Sequence, residues 1–137
     1  MAKKIILVTI LLLFVVAGAF VFRKVPLIRE SEALLAPGVV SKIYVSGEHD
    51  ITFELEGDSR VFYINRGEER GLETAELQRL LVGKEVVLKY PDYWTPLDWN
   101  NQTRHLAGVE YDGNLIFSEF TDKSPGAPLK LASRSCL

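Results

Sequence analysis

Both tryptophans of the chain and two of its five tyrosines fall within one ten-residue stretch, Tyr90-Pro91-Asp92-Tyr93-Trp94-Thr95-Pro96-Leu97-Asp98-Trp99. Rings at this density either cover a core edge or stack on a ligand such as a sugar, a base or a peptide side chain. Asp98 beside them can accept hydrogen bonds, and Arg104 just beyond can supply a planar cationic donor. The candidate ligand-binding set is therefore Tyr93, Trp94, Asp98, Trp99 and Arg104. A second set, His49, Asp50 and His105, offers the imidazole and carboxylate donors of a zinc or manganese site. Neither histidine belongs to an H-x-x-x-H pair, and Glu48-His49-Asp50 also reads as a solvated turn.

Other chemistries find little support. None of Ser41, Ser46, Ser59 and Ser118 lies in a G-x-S-x-G elbow, and Cys136 has no histidine near it in sequence. No catalytic residue is assigned and no cofactor is expected. Arg60, Arg66 and Arg70 are interleaved with Asp58, Glu68, Glu69 and Glu73, a pattern of surface ion pairs rather than a nucleic-acid groove. A lone cysteine permits no intramolecular disulfide, and Cys136 sits wrongly for a lipid anchor. Asn101-Gln102-Thr103 matches the N-glycosylation pattern, which matters only in a cell that glycosylates.

The elements that must position these residues fall into two unlike parts. The first 24 residues hold four of the 16 basic groups and none of the 18 acidic ones, leaving residues 25–137 at net −6. Between Lys4 and Arg23 runs an uncharged segment, residues 5–22, whose only polar side chain is Thr9. As a helix at 1.5 Å per residue it reaches about 27 Å, enough for a thin hydrocarbon core, with the flanking basic side chains snorkelling to either interface. Residues 1–24 are thus expected to be a membrane anchor, and the bilayer a partner through residues 5–22. The alternative is a cleaved signal peptide, with Ala17-Gly18-Ala19 as the cleavage site; it would leave Phe20, Val21 and Phe22 at a greasy mature end. Flank charges are balanced, so the short leading segment favours an extracytoplasmic domain, periplasmic or on the cell surface.

Residues 25–37 read as a juxtamembrane tether and residues 121–137 as a loose tail. Between them, 38–120 reads as mainly β with one short helix. Ile51, Phe53 and Leu55 alternate with Thr52, Glu54 and Glu56, giving one buried and one wet strand face. Val61, Tyr63 and Asn65 share one face of the next strand. Leu72, Ala75, Leu77, Leu80 and Leu81 then recur at helical spacing, with Thr74 as candidate N-cap and Gly83 as the stop. Val86-Val87-Leu88 follows, then two strands, Leu106–Tyr111 and Leu115–Phe120, around Asp112-Gly113-Asn114. Three strands, a helix and two or three strands is the chain order of an OB-like five- to six-stranded barrel, in which the aromatic stretch would be a loop beside the ligand face.

Asp50-Ile51-Thr52-Phe53-Glu54-Leu55, Tyr63-Ile64-Asn65-Arg66-Gly67, Trp94-Thr95-Pro96-Leu97-Asp98 and Arg104-His105 resemble a group of small single-pass bacterial membrane proteins of uncharacterised function. That resemblance implies an OB-like β domain and a membrane location, and no activity. The leading expectation is a membrane-anchored extracytoplasmic binding or interaction module, with a protein or small-molecule ligand at the 90–104 loop. Two rivals accompany it: a metal-dependent hydrolase or nuclease-like enzyme on an OB core, and a structural subunit of a membrane complex.

Overall fold

The computed structural model describes residues 1–122. Helix α1 spans Ala2–Val21, and none of its side chains is buried by the rest of the molecule. By length and composition it can cross a membrane. Beyond Lys3 and Lys4 its one polar side chain is satisfied internally, since the Thr9 hydroxyl donates to the Ile5 carbonyl at 2.9 Å.

The remainder is a mixed sheet of seven strands and one short helix. Strand β1 (Leu34–Ser46) is long enough to serve two neighbours. Its first half pairs with β4 (Glu85–Tyr90) from Leu34↔Tyr90 to Val39↔Glu85. Its second half pairs with β2 (Asp50–Leu55) from Val40↔Leu55 to Ser46↔Asp50, after a register shift between Val40 and Lys42. β2 then pairs with β3 (Val61–Ile64), which pairs in parallel with β5 (Thr103–His105). On the other side, β4 pairs with β6 (Gly108–Tyr111), and β6 with β7 (Asn114–Ser118). The order is β5-β3-β2-β1-β4-β6-β7.

Several expectations change in detail. The stretch expected as one strand from Leu106 to Tyr111 begins earlier and is divided, because Leu106 and Ala107 turn from one ladder to another. Leu106 N–H donates to the Tyr63 carbonyl, and Ala107 N–H to that of Lys89, each at 2.8 Å. The 25–37 stretch is part of the packed unit: β1 starts at Leu34, Thr121 N–H donates to the Ile28 carbonyl, and Lys89 Nζ lies 2.7 Å from Glu30 and 2.6 Å from Glu110. Thr52 is buried rather than wet, because β2 has a neighbour on each side and the Thr52 hydroxyl bonds that of Ser46 at 2.6 Å. The tail expected from residue 121 lies, beyond Asp122, outside the described residues.

Helix α2 (Thr74–Leu81) turns Leu77 and Leu81 into the core, leaves Ala75 exposed, and is tied to β1 by Gln78 Nε2 donating to the Ile43 carbonyl at 2.7 Å. Thr74 is its first residue rather than its cap; Glu73 holds that position, with no side-chain capping bond. The β6–β7 turn is Asp112-Gly113, both at positive φ (50° and 72°), the conformation that suits a tight hairpin.

β6 starts where two elements nearly touch. A Cβ on Gly108 would stand 2.8 Å from Phe120 Cε2 and 3.0 Å from Cζ. Phe120 is itself buried, so the ring cannot swing into solvent. Gly108→Ala is expected to cost about 1–3 kcal/mol by overpacking. Phe120→Leu in the same chain recovers part of that loss, a non-additivity that a double-mutant cycle of urea midpoints measures.

Candidate functional site

Pro91 ends β4, and the chain then crosses to β5 through the aromatic loop. Its geometry is set by local polar bonds. Thr95 Oγ1 accepts from Leu97 N–H at 3.4 Å and opens a single 3-10 turn, Pro96–Asp98. Asp98 closes it: Oδ1 accepts from Gln102 N–H at 3.0 Å and Oδ2 from Thr103 N–H at 2.8 Å. One side chain thus holds both the loop and the first residue of β5.

Between this loop and β5 lies a cleft of about 280 Å³, lined by Tyr63, Tyr93, Leu97, Asp98, Arg104 and His105 together with Val25, Pro91, Thr95 and Thr103. Arg104 is its cation. The guanidinium donates from Nη1 to the Tyr93 carbonyl at 3.0 Å and lies 5.4 Å over the Tyr90 ring, while its buried Nε has no hydrogen-bond partner among the described residues. Tyr63 faces it from β3. Burial, and then the negative field of Asp50, raises the Tyr63 pKa, so its hydroxyl stays a donor.

His105 packs edge-on against Tyr63, with ring centroids 5.3 Å apart at 81°. Burial first, and then the positive charge of Arg70, pushes its pKa down to about 4 against a smaller opposing effect of Asp50. The imidazole is therefore neutral at neutral pH. Its Nε2 lies 2.8 Å from Glu119 Oε2, so the neutral ring carries its proton there and donates it. Arg70 pairs with the other oxygen of Glu119.

A shallower groove of about 490 Å³ crosses β1, β2 and β3 beside the cleft, lined by Tyr44, Ser46, Asp50, Thr52, Val61, Tyr63, Asn65 and Thr103. Tyr63 and Thr103 belong to both concavities.

The expected residues divide three ways. Tyr93, Asp98 and Arg104 line the cleft, and His105 joins them from the other expected set. Trp94 and Trp99 do not line it. They pack on each other, T-shaped at 5.3 Å, with Trp94 Nε1 donating to the Trp99 carbonyl at 3.1 Å, and they stay 38% and 75% exposed. The expected metal set is not brought together, and no group of three or more metal-donor side chains occurs among the described residues. His49 Nδ1 meets Glu68 Oε2 at 3.1 Å on the surface, where that hydrogen bond raises its pKa. Asp50 Oδ1 accepts Arg66 N–H at 2.8 Å and locks a turn. Each group already has a local partner, which is why they do not converge.

Sequence reasoning did not single out Tyr63, Val25 or Thr103. For Tyr63 a signal existed, the shared face of Val61, Tyr63 and Asn65; Val25 and Thr103 reach the cleft only through tertiary packing. No protein-family model matches the chain, and no curated protein matches it.

Proposed function

We propose that this chain is a single-pass membrane-anchored binding module, holding an OB-like barrel on the extracytoplasmic side and taking a small ligand with an acceptor oxygen in the Tyr63–Arg104 cleft. The observation that carries the reading is the cleft itself, whose surface is mainly apolar and whose polar groups include one cation, Arg104, one carboxylate, Asp98, and the Tyr63 hydroxyl. Arg104 and the Tyr63 hydroxyl are donors, and His105 is neutral with its Nε2 proton committed to Glu119. The complement of such a site is a carbonyl or carboxylate oxygen on a ring or short chain.

The OB-like reading is supported by the helix between third and fourth strands, by β1 serving two neighbours, and by residues 103–111 bonding β3 at one end and β4 at the other. In such a barrel the β1–β2–β3 groove is the usual ligand face. The anchor reading is supported by α1, and the extracytoplasmic placement by the acidity of residues 25–137, which the anionic cytoplasmic leaflet would repel. Protease added to intact spheroplasts is expected to remove the domain, and its protection there would reverse the orientation.

Binding is tested by a thermal-shift screen of the full chain in detergent against small aromatic carboxylates. A ligand at one hundred times its Kd stabilises by about 2.7 kcal/mol. Arg104→Gln is expected to abolish the shift, and Tyr63→Phe to weaken binding by about 1 kcal/mol, one hydrogen bond. A ligand that bound Arg104→Gln with unchanged affinity would remove the cleft from the proposal.

A further inference from the structure

We infer that the 93–99 loop is a second membrane contact, which seats Trp94, Leu97 and Trp99 in the headgroup region beside the end of α1. This rests on the reading of α1 as an anchor. Leu97 and Trp99 are 73% and 75% exposed, and with Trp94 they put three large apolar side chains on the surface within six residues. Single exposed apolar residues need no explanation, but a cluster of this kind marks a contact surface.

Its place in the molecule says what it contacts. The Trp94 ring lies 6.5 Å from that of Phe20, in the last turn of α1. Tyr93 donates its hydroxyl proton to the Arg23 carbonyl at 2.7 Å, and the Arg23 guanidinium lies 4.9 Å over the Tyr93 ring and 5.9 Å over that of Phe20. The apolar run ends at Phe22 and the charges begin at Arg23 and Lys24. A spanning helix leaves the hydrocarbon at that boundary, so the loop is held at the height of the membrane–water interface. Tryptophan and tyrosine concentrate at this level because their rings are apolar and their N–H and O–H groups still need acceptors.

The polar groups agree with a lipid surface. The one acidic side chain inside the loop, Asp98, is turned inward onto the Gln102 and Thr103 amides. Trp94 Nε1–H is satisfied within the loop, so it carries no unmet donor into a less polar medium. Arg23 and Lys24 stand where lipid phosphates would lie.

Trp94 and Trp99 are the chain's only tryptophans, so its indole fluorescence reports this loop alone. The full chain is reconstituted into phosphatidylcholine vesicles, floated after a carbonate wash, and its intact mass checked. Lipid brominated high on the acyl chain is expected to quench most of the emission, and aqueous iodide little of it. Leu97→Asp, at an exposed position, is expected to reverse that order while the protein still floats. A floating protein quenched by iodide and indifferent to brominated lipid would overturn the loop contact and spare the anchor. Shielding from both quenchers would place the loop against another copy of the chain and likewise overturn it. Failure to float, or a mass lacking α1, would bring down the anchor reading and this inference together.

Discussion

Phe62→Ala is expected to lose about 3–5 kcal/mol of folding stability, a large part of the roughly 5–15 kcal/mol that a domain commonly has. Phe62 is completely buried on β3, its ring tilted against Tyr90 with centroids 5.7 Å apart. The Arg60 guanidinium lies 5.2 Å over its face, and that cation is itself fixed. It donates to both Asp58 oxygens, from Nη2 at 2.7 Å and from Nε at 2.9 and 3.2 Å, and from Nη1 to the Tyr90 hydroxyl at 2.7 Å. These bonds hold the Asp58 pKa below its ordinary value. The ring therefore fills a space whose walls cannot collapse inward, since one is a pinned ion pair and the others are paired strands. A cavity that cannot relax is the costly kind. Urea unfolding followed by circular dichroism is expected to show a lower midpoint and an unchanged slope, the mark of a loss of native stability. Phe62→Leu, which refills most of the volume, is expected to cost under about 1.5 kcal/mol. Equal midpoints for Phe62→Ala and the parent would mean that β3 is not part of the core.

The second large effect is with pH. His105 has a folded pKa of about 4 against 6.5 in the unfolded chain. Between those values the unfolded state binds a proton that the folded state does not, so stability falls as pH falls through that window. The full loss is about 3 kcal/mol, of which about 2 has gone by pH 5. Burial and Arg70 produce the effect, and Asp50 opposes it only in part. His49 titrates in the opposite sense, because its raised pKa adds stability below 6.5 that disappears as pH rises. The informative quantity is therefore the difference between the parent and His105→Gln. Glutamine still offers an N–H to Glu119 and carries no titrating proton, so its midpoint is expected to fall less between pH 7 and pH 5. Parallel curves for the two proteins would show that His105 titrates alike in the folded and unfolded states, and a steeper fall for His105→Gln would show that it is charged in the folded state.

What could be read from the sequence was whatever depends on neighbours along the chain. An apolar run with one hydroxyl is a helix with Thr9 bonded to its own backbone, and Asp112-Gly113 makes a tight turn because those two residues tolerate positive φ. What could not be read was which strands become neighbours. Alternation marks the outward face of β2, but only the presence of β1 and β3 on both sides makes Thr52 buried. The division of residues 103–111 between two ladders leaves no local trace, since Leu106 and Ala107 look like any other strand residues. The aromatic stretch read as one unit because composition has no direction. In three dimensions it separates: Tyr93 lines the cleft, while Trp94 packs on Trp99 and reaches Phe20 at the end of α1. The two histidines looked alike for the same reason. Glu68 and Glu119, which give one an exposed and the other a buried site, are assigned only by the fold.

The parallel pairing of β3 with β5 has a consequence in time. Its residue pairs, Val61↔Thr103 to Tyr63↔His105, are separated in the chain by α2, β4 and the aromatic loop. Contacts across so long an interval are slow to form, because the loop-closure entropy must be met before any of them stabilises the chain. The hairpins β1–β2 and β2–β3 close over short turns and need not wait. One side of the cleft is made by Tyr63 of β3 together with β5 and the other by the aromatic loop, so it comes into being only once this ladder has closed. A newly made chain would hold its β1–β2 and β2–β3 hairpins before it held a ligand, and binding would report that this long-range ladder has closed.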